Sequence, residues 1–316
     1  MTAHDQDSNT ISLIIPVYKA AAGLKKTLLS IAAQQPSGRA VMILVANDGA
    51  DAAVTAVCRS HGVSMVAIAP RRGSYFARNR ALEKAVGELI AFIDAGIYLP
   101  EDWLVKAIQA LGTADYLAGE VDISTVPRPT AAEAYEKIHA YPIAEYMRTF
   151  HFGGAGNLIV KKSLLEKIGG FDQRLFSGGD LEFGDRVYRA GFTQVYLSRP
   201  VLLHPPRRAL SLFRKQFRVK IGYGYLTRLF PGRFPSRSIS SSLASVLRAL
   251  LPPHPTYIIS EFSTDEIVPA WRRFFFLWFL KICRAIAGLA AVLVPTPRLP
   301  RTPKRIEWFD FSIHSC

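Results

Sequence analysis

Leu89-Ile90-Ala91-Phe92-Ile93-Asp94-Ala95-Gly96 is the stretch that decides the fold class. Five apolar residues run into a carboxylate and a glycine, the pattern of a buried strand that delivers Asp94 to a rim. Pro100 follows shortly after, so the charge sits in a loop that a ligand can reach. Taken alone, the same residues also describe an ordinary turn, since turns favour Asp and Gly.

The preceding residues decide between these readings. Ser12-Leu13-Ile14-Ile15-Pro16-Val17-Tyr18 is an apolar run stopped by a proline, a first buried strand. Leu24, Leu28 and Ile31 recur at helical spacing within 24–34. A second strand, Val41 to Val45, ends in Ala46-Asn47-Asp48-Gly49, and a helix over 52–60 leads to a third strand over 63–69. A helix over 74–85 then returns the chain to the Asp94 strand. Strand and helix alternate throughout, which predicts a mostly parallel α/β sheet flanked by helices.

In such sheets ligands bind outside the carboxyl ends of the strands. Pro16-Val17-Tyr18, Asp48-Gly49 and Asp94-Ala95-Gly96 all fall at strand ends, so a proline turn and two carboxylates converge on one rim. No GxGxxG follows the first strand and no GxxxxGK[ST] occurs, so neither a dinucleotide fingerprint nor a phosphate loop is present. Arg71-Arg72-Gly73 and Arg78-Asn79-Arg80 precede the Asp94 strand, and an arginine fork suits phosphate or a base carbonyl as well as a solvated helix face.

Beyond that strand, helix is expected over 101–111, strand over 116–123, and a helix over 131–147 interrupted at Pro142. Gly153-Gly154-Ala155-Gly156-Asn157 precedes a strand at Leu158-Ile159-Val160 and serves either a close backbone approach or a turn. Ser177-Gly178-Gly179-Asp180-Leu181-Glu182 places Asp180 where a helix starts, as a cap or as a carboxylate facing a cleft.

Six motifs in this order resemble glycosyltransferase family 2, the inverting sugar transferases of the Rossmann-like GT-A fold. They are Ile15-Pro16-Val17-Tyr18, Asn47-Asp48-Gly49, Gly73 with Ala77-Arg78-Asn79, Asp94-Ala95-Gly96 followed by Pro100 and Trp103, Gly156-Asn157, and Gly179-Asp180 before Arg186. The resemblance spans residues 10–205 and implies a donor site for a nucleoside-diphosphate sugar, UDP-sugar foremost. That site would comprise Pro16, Val17, Tyr18, Asp48, Gly49, Arg78, Asn79, Asp94, Ala95 and Gly96. Asp48 would bind the base and Arg78 the base or phosphates. Asp94 would reach the ribose or a metal, and Asp180 would be the general base. Gly156, Asn157, Gly179 and Glu182 would form the acceptor side.

The family commonly carries a second acid where this chain has Gly96, which puts a divalent cation (Mg²⁺ or Mn²⁺) in doubt. Asp94 with His204 is the expected ligand set if one binds, and Arg72, Arg78 or Arg207 the alternative for stabilising the leaving group. Loss of that acid also motivates a competing reading, a catalytically inactive membrane-bound scaffold that keeps the fold.

Charge divides the chain of 316 residues further. Residues 1–185 hold 18 basic and 20 acidic residues, whereas 186–260 hold 13 basic and none acidic. Such a segment suggests an anionic partner. No nucleic-acid-binding motif accompanies it, so a membrane surface is expected and nucleic acid is not. Leu210, Phe213, Phe217 and Ile221 interleave with Arg214, Lys215 and Arg218 as a basic amphipathic helix, and a long apolar run over 274–294 is broken by Lys281 and Arg284. Spanning a bilayer would cost about 5–7 kcal/mol for the two bases and return roughly 4–7 kcal/mol, so lying in the interface, or packing as a core helix, is preferred. Cys58, Cys283 and Cys316 show no paired spacing and the polar N-terminus has no apolar core of a secretory signal, in keeping with a reducing compartment. The chain thus divides into a flexible N-terminus over 1–10, a GT-A domain over 11–206, and a basic helical region over 207–316 on the cytoplasmic face of the plasma membrane. Its expected product is a cell-surface polysaccharide or glycolipid, built on a glycan or lipid-linked acceptor.

Overall fold

The computed structural model describes residues 9–34, 38–236, 238–262 and 268–293. Most of the expected flexible N-terminus and the final part of the C-terminal region lie outside them. Seven strands, β1 (Thr10–Val17), β2 (Ala40–Asp48), β3 (Ser64–Ile68), β4 (Leu89–Ile93), β5 (Tyr116–Ile123), β6 (Asn157–Lys161) and β7 (Gln194–His204), form one sheet in the order β3-β2-β1-β4-β6-β5-β7. All neighbours pair in parallel except β6, which runs antiparallel to both β4 and β5. β1 and β4 are the central pair, with Ile14 opposite Phe92.

Both strands are buried on both faces, as their unbroken apolar runs require. Alternation then divides the core in two. Ile14, Ile90 and Phe92 point to one side, while Leu13, Ile15, Ala91 and Ile93 point to the other. Helices α1 (Ala21–Ala32), α2 (Ala52–Ser60), α3 (Ser74–Leu82) and α4 (Trp103–Leu111) alternate with the first strands, and α5 (Ala131–His139) and α6 (Ile143–Phe150) follow β5, separated by Pro142. A short α7 (Lys162–Ile168) follows β6, and α8 (Gly179–Arg189) leads into β7.

Two buried hydroxyls fix the parts that carry the site. The Ser12 hydroxyl donates to the Val86 carbonyl and accepts from the Val86 amide, tying β1 to the approach of β4. The Thr27 hydroxyl donates to the Ile97 carbonyl at 2.8 Å and accepts from the Gly96 amide at 2.9 Å, so α1 clamps the turn beyond Asp94. Gly96 has φ +98°, a conformation that side chains other than glycine's rarely adopt, and a Cβ on the facing Gly23 would lie 3.3 Å from its Cα. An acid at position 96 would strain this turn.

The C-terminal region is helical: α9 (Ala209–Leu229), α10 (Ile239–Leu250), α11 (Pro255–Glu261) and α12 (Ala270–Leu293). By length and composition α12 can cross a membrane, with mean hydropathy 1.9, and 33% of its most apolar window is buried against protein. Phe276, Leu277 and Leu280 pack on Tyr135 and Leu212, while Trp271, Phe275, Phe279, Ile286 and Leu293 are exposed along the helix. Arg284, one of the two bases that break the apolar run, turns inward to Gln216 and to the Tyr135 hydroxyl at 2.9 Å, and Lys281 donates to the Leu251 carbonyl.

Candidate active site

A cleft of about 850 Å³ opens at the carboxyl ends of β1, β2 and β4, within the range of small-molecule sites. Pro16, Val17, Tyr18, Asp48, Arg78, Asp94, Gly156 and Asp180 all line it, so the sequence motifs do meet. Asp48 is nearly buried at the end of β2. Its oxygens accept the amides of Arg72 at 2.7 Å and Gly73 at 2.8 Å, which shapes the loop ahead of α3. Beside it the Tyr18 ring carries the Arg71 guanidinium 4.0 Å from its centroid and packs over Gly49. An aromatic face and a carboxylate thus sit together at this end.

Arg78 is buried on α3 and donates from Nη2 to Asp94 Oδ1 at 2.5 Å, with its Nε left without a partner. Asp94 is the more open member of the pair, 44% exposed at the side chain. Across from it Asp180 lies in the first turn of α8, where Gly178 takes a left-handed φ of +84° as the cap residue. The Gly179 amide donates to the Tyr75 hydroxyl at 3.0 Å, and a Cβ on Gly179 would lie 2.7 Å from that ring, so α8 enters over Tyr75. Asp180 Oδ1 is enclosed and has no hydrogen-bond partner. Burial pushes the Asp180 carboxyl up to about 6, against the pull of the Arg78 charge and with the push of Asp94. A partly desolvated carboxylate with a spare lone pair is suited to taking a proton.

The third wall comes from the C-terminal region. Arg207, Lys215, Arg218 and Tyr223 line the same cleft, so the site draws on both sides of the boundary expected at residue 206. Arg207 donates to buried Glu136 through its amide and through Nη1, both at 2.6 Å, and through Nη2 to the Tyr141 hydroxyl and to His204 Nε2, both at 2.9 Å. Lys215 reaches the same Glu136 at 3.5 Å. Burial, aided by the Arg207 charge, lowers the His204 imidazole to about 4 and the Lys215 ammonium to about 8. His204 is therefore neutral near pH 7. Its Nδ1 faces the Pro205 carbonyl at 2.6 Å, which leaves Nε2 as the acceptor for Arg207.

Other residues singled out in the sequence stand behind the wall and hold it. Asn157 is fully buried, its Oδ1 accepting from Trp103 Nε1 at 3.0 Å and its Nδ2 donating to the Glu120 carbonyl. Asn79 clasps the Phe171 backbone through two hydrogen bonds. Glu182 faces away, paired with Arg186 and Arg233, because it lies two residues beyond Asp180 on α8. Gly49, Ala95, Gly96 and Gly179 act through backbone turns and close packing, and His204 is not among the cleft-lining residues. Sequence reading passed over Glu136, an unremarkable acid within a helix, and gave Lys215 and Arg218 to the basic face of an amphipathic helix at a membrane, whereas both line this cleft.

A family model described as glycosyl transferase family 2 matches residues 12–169. Glycosyltransferase AglE of Haloferax volcanii is 28% identical over 258 residues, 79% of this chain and 84% of that protein. The pre-mycofactocin glycosyltransferase of Mycobacterium tuberculosis is 23% identical over 225 residues, 66% of this chain and 45% of its own length. Among solved structures, mannosyltransferase PcManGT from Pyrobaculum calidifontis, in complex with GDP-Man and Mn²⁺, aligns with a TM-score of 0.58 at 17% identity, covering 88% of this chain and 86% of the other. TarS residues 1–349 from S. aureus, in complex with UDP-GlcNAc, aligns with a TM-score of 0.51 at 17% identity over 90% of each chain. At such identities the structural likeness speaks for the fold.

Proposed function

This chain belongs to glycosyl transferase family 2, with a GT-A-like fold, and from that premise we propose that it moves a hexose from a nucleoside-diphosphate donor to an acceptor hydroxyl with inversion, Asp180 acting as the general base. The observation that carries this reading is the enclosed, unpartnered Asp180 Oδ1 in the cleft that Asp48, Arg78 and Asp94 also line. The acceptor oxygen attacks the anomeric carbon as its proton passes to Asp180. The bond from that carbon to the phosphate oxygen breaks, and the electron pair leaves with the nucleoside diphosphate. One direct displacement inverts the centre. The Tyr18 and Asp48 end suits the base, uracil foremost, and Asp94 suits the ribose or the diphosphate end.

The acceptor we infer is a glycan or a lipid-linked hydroxyl at a membrane surface, reached from its cytoplasmic face. What supports this is the run of exposed apolar residues on α12, beside Ile239, Leu243, Leu247 and Leu250 on α10. With one side of α12 packed on α5 and α9, lying in the interface suits it better than crossing. A thermal-shift screen of nucleoside diphosphates and their sugars tests the donor reading. One of them, present at about 100 times its dissociation constant, should raise stability by about 2.7 kcal/mol, and no shift with any would count against a donor site.

A further inference from the structure

The cleft has an excess of cations that the reaction so far leaves unused. Arg71, Arg72, Arg78, Arg207, Lys215 and Arg218 line it with Asp48, Asp94 and Asp180, and Glu136 stands behind Arg207 and Lys215. Asp48 is committed to backbone amides and Asp94 to Arg78. Glu136, 1% exposed at the side chain, is a single carboxylate shared by Arg207 and Lys215, so that pair keeps a net positive charge. Arg218, one turn beyond Lys215 on α9, has no ion-pair partner among the described residues and faces the same cleft.

A divalent cation would find a sparse set of donors here, with Asp94 the one cleft carboxylate open to it. Mg²⁺ and its relatives take oxygen ligands and usually at least one free carboxylate. Asp94 shares Oδ1 with a guanidinium and keeps Oδ2 alone to offer, the His204 Nε2 lone pair accepts from Arg207, and residue 96 has no side chain. No group of three or more His, Cys, Asp or Glu is placed to hold a metal among the described residues.

Resting on the donor-site reading above, we propose that Arg207, Lys215 and Arg218 are the seat of the donor's diphosphate, supplying by fixed side-chain charge the counter-charge for the leaving group. Glu136 and Tyr141 are positioning residues: they hold the Arg207 fork through bonds of 2.6 and 2.9 Å before any ligand arrives. Donors fixed in advance, in a partly desolvated cleft, are the kind that stabilise charge developing on a leaving oxygen. Two glycines set α9 in place for this. A Cβ on Gly222 would lie 2.5 Å from Ser177 Cβ, beside the Asp180 turn, and one on Gly224 would lie 2.5 Å from the Ala291 carbonyl of α12.

Calorimetric titration of the full chain with UDP and GDP, in EDTA and in MnCl₂, with ligand-observed NMR of uridine and guanosine, tests this. The proposal expects a nucleoside diphosphate to bind in EDTA within about three-fold of its affinity in Mn²⁺. Lys215→Gln and Arg218→Gln, each melting at the wild-type temperature, should weaken that diphosphate about ten-fold or more while leaving its nucleoside unchanged. Binding that needs Mn²⁺, or folded variants that bind the diphosphate as wild type does, would overturn the seat while leaving the donor site standing. If neither diphosphate binds under either condition, the donor-site reading itself falls and the seat with it.

Discussion

Asp94, just past β4, and Asp180, in the first turn of α8, line one cleft, and their surroundings suit them to different work. Asp94 is tied to Arg78 and open to solvent on one side, an arrangement that keeps a charge in place. Asp180 has an enclosed oxygen without a donor, and burial lifts its carboxyl from 3.8 to about 6. A carboxyl that binds its proton more tightly when folded contributes most to stability below the unfolded value near 4. That contribution is lost as pH rises to about 6, and above it the native state carries a cost. Asp180→Asn removes that cost, so the variant should be more stable than wild type at pH 8 by about 1–2 kcal/mol and no more stable at pH 4, as read by urea unfolding. A variant less stable at pH 8 would show that the Asp180 environment favours the charge.

The elements differ in how plainly their sequences announced them. β1 and β4 were legible because buried parallel strands are continuous apolar runs, and helix α1 because Leu24, Leu28 and Ile31 recur at helical spacing. β7 was not legible. Gln194–His204 mixes Tyr196, Ser198, Arg199 and Pro200 with its apolar positions, as an edge strand that is largely unburied can. Most of the candidate site could be read because Asp48, Asp94 and Asp180 each follow a structural signal. The Glu136 cluster could not, because its members come together only when α5 and α9 pack. The exposed apolar face of α10 and α12 is open to a direct test. Leu247→Glu with Phe275→Glu should reduce sedimentation with phosphatidylglycerol vesicles about ten-fold or more, since each side chain returned to water forfeits about 1.5–3 kcal/mol. Undiminished sedimentation would place the membrane contact elsewhere.

At the scale of the molecule the C-terminal region is part of the enzyme. α9 contributes Lys215 and Arg218 to the cleft and Leu226 to the core beside β4, while its other side meets α12. A chain ending at residue 206 would lose a wall of the site along with any membrane face. This arrangement joins the apolar surface to the cleft through one helix. The most direct test of the central claim is donor turnover by the full chain and by Asp180→Asn between pH 5 and 9, using the donor found by thermal shift. Wild-type turnover should rise through about pH 6 as Asp180 ionises, and the variant, still binding donor, should be slower by about 10²–10⁴-fold and lose that rise. A variant that turns over donor at the wild-type rate with the same pH profile would contradict Asp180 as the base and the mechanism built on it.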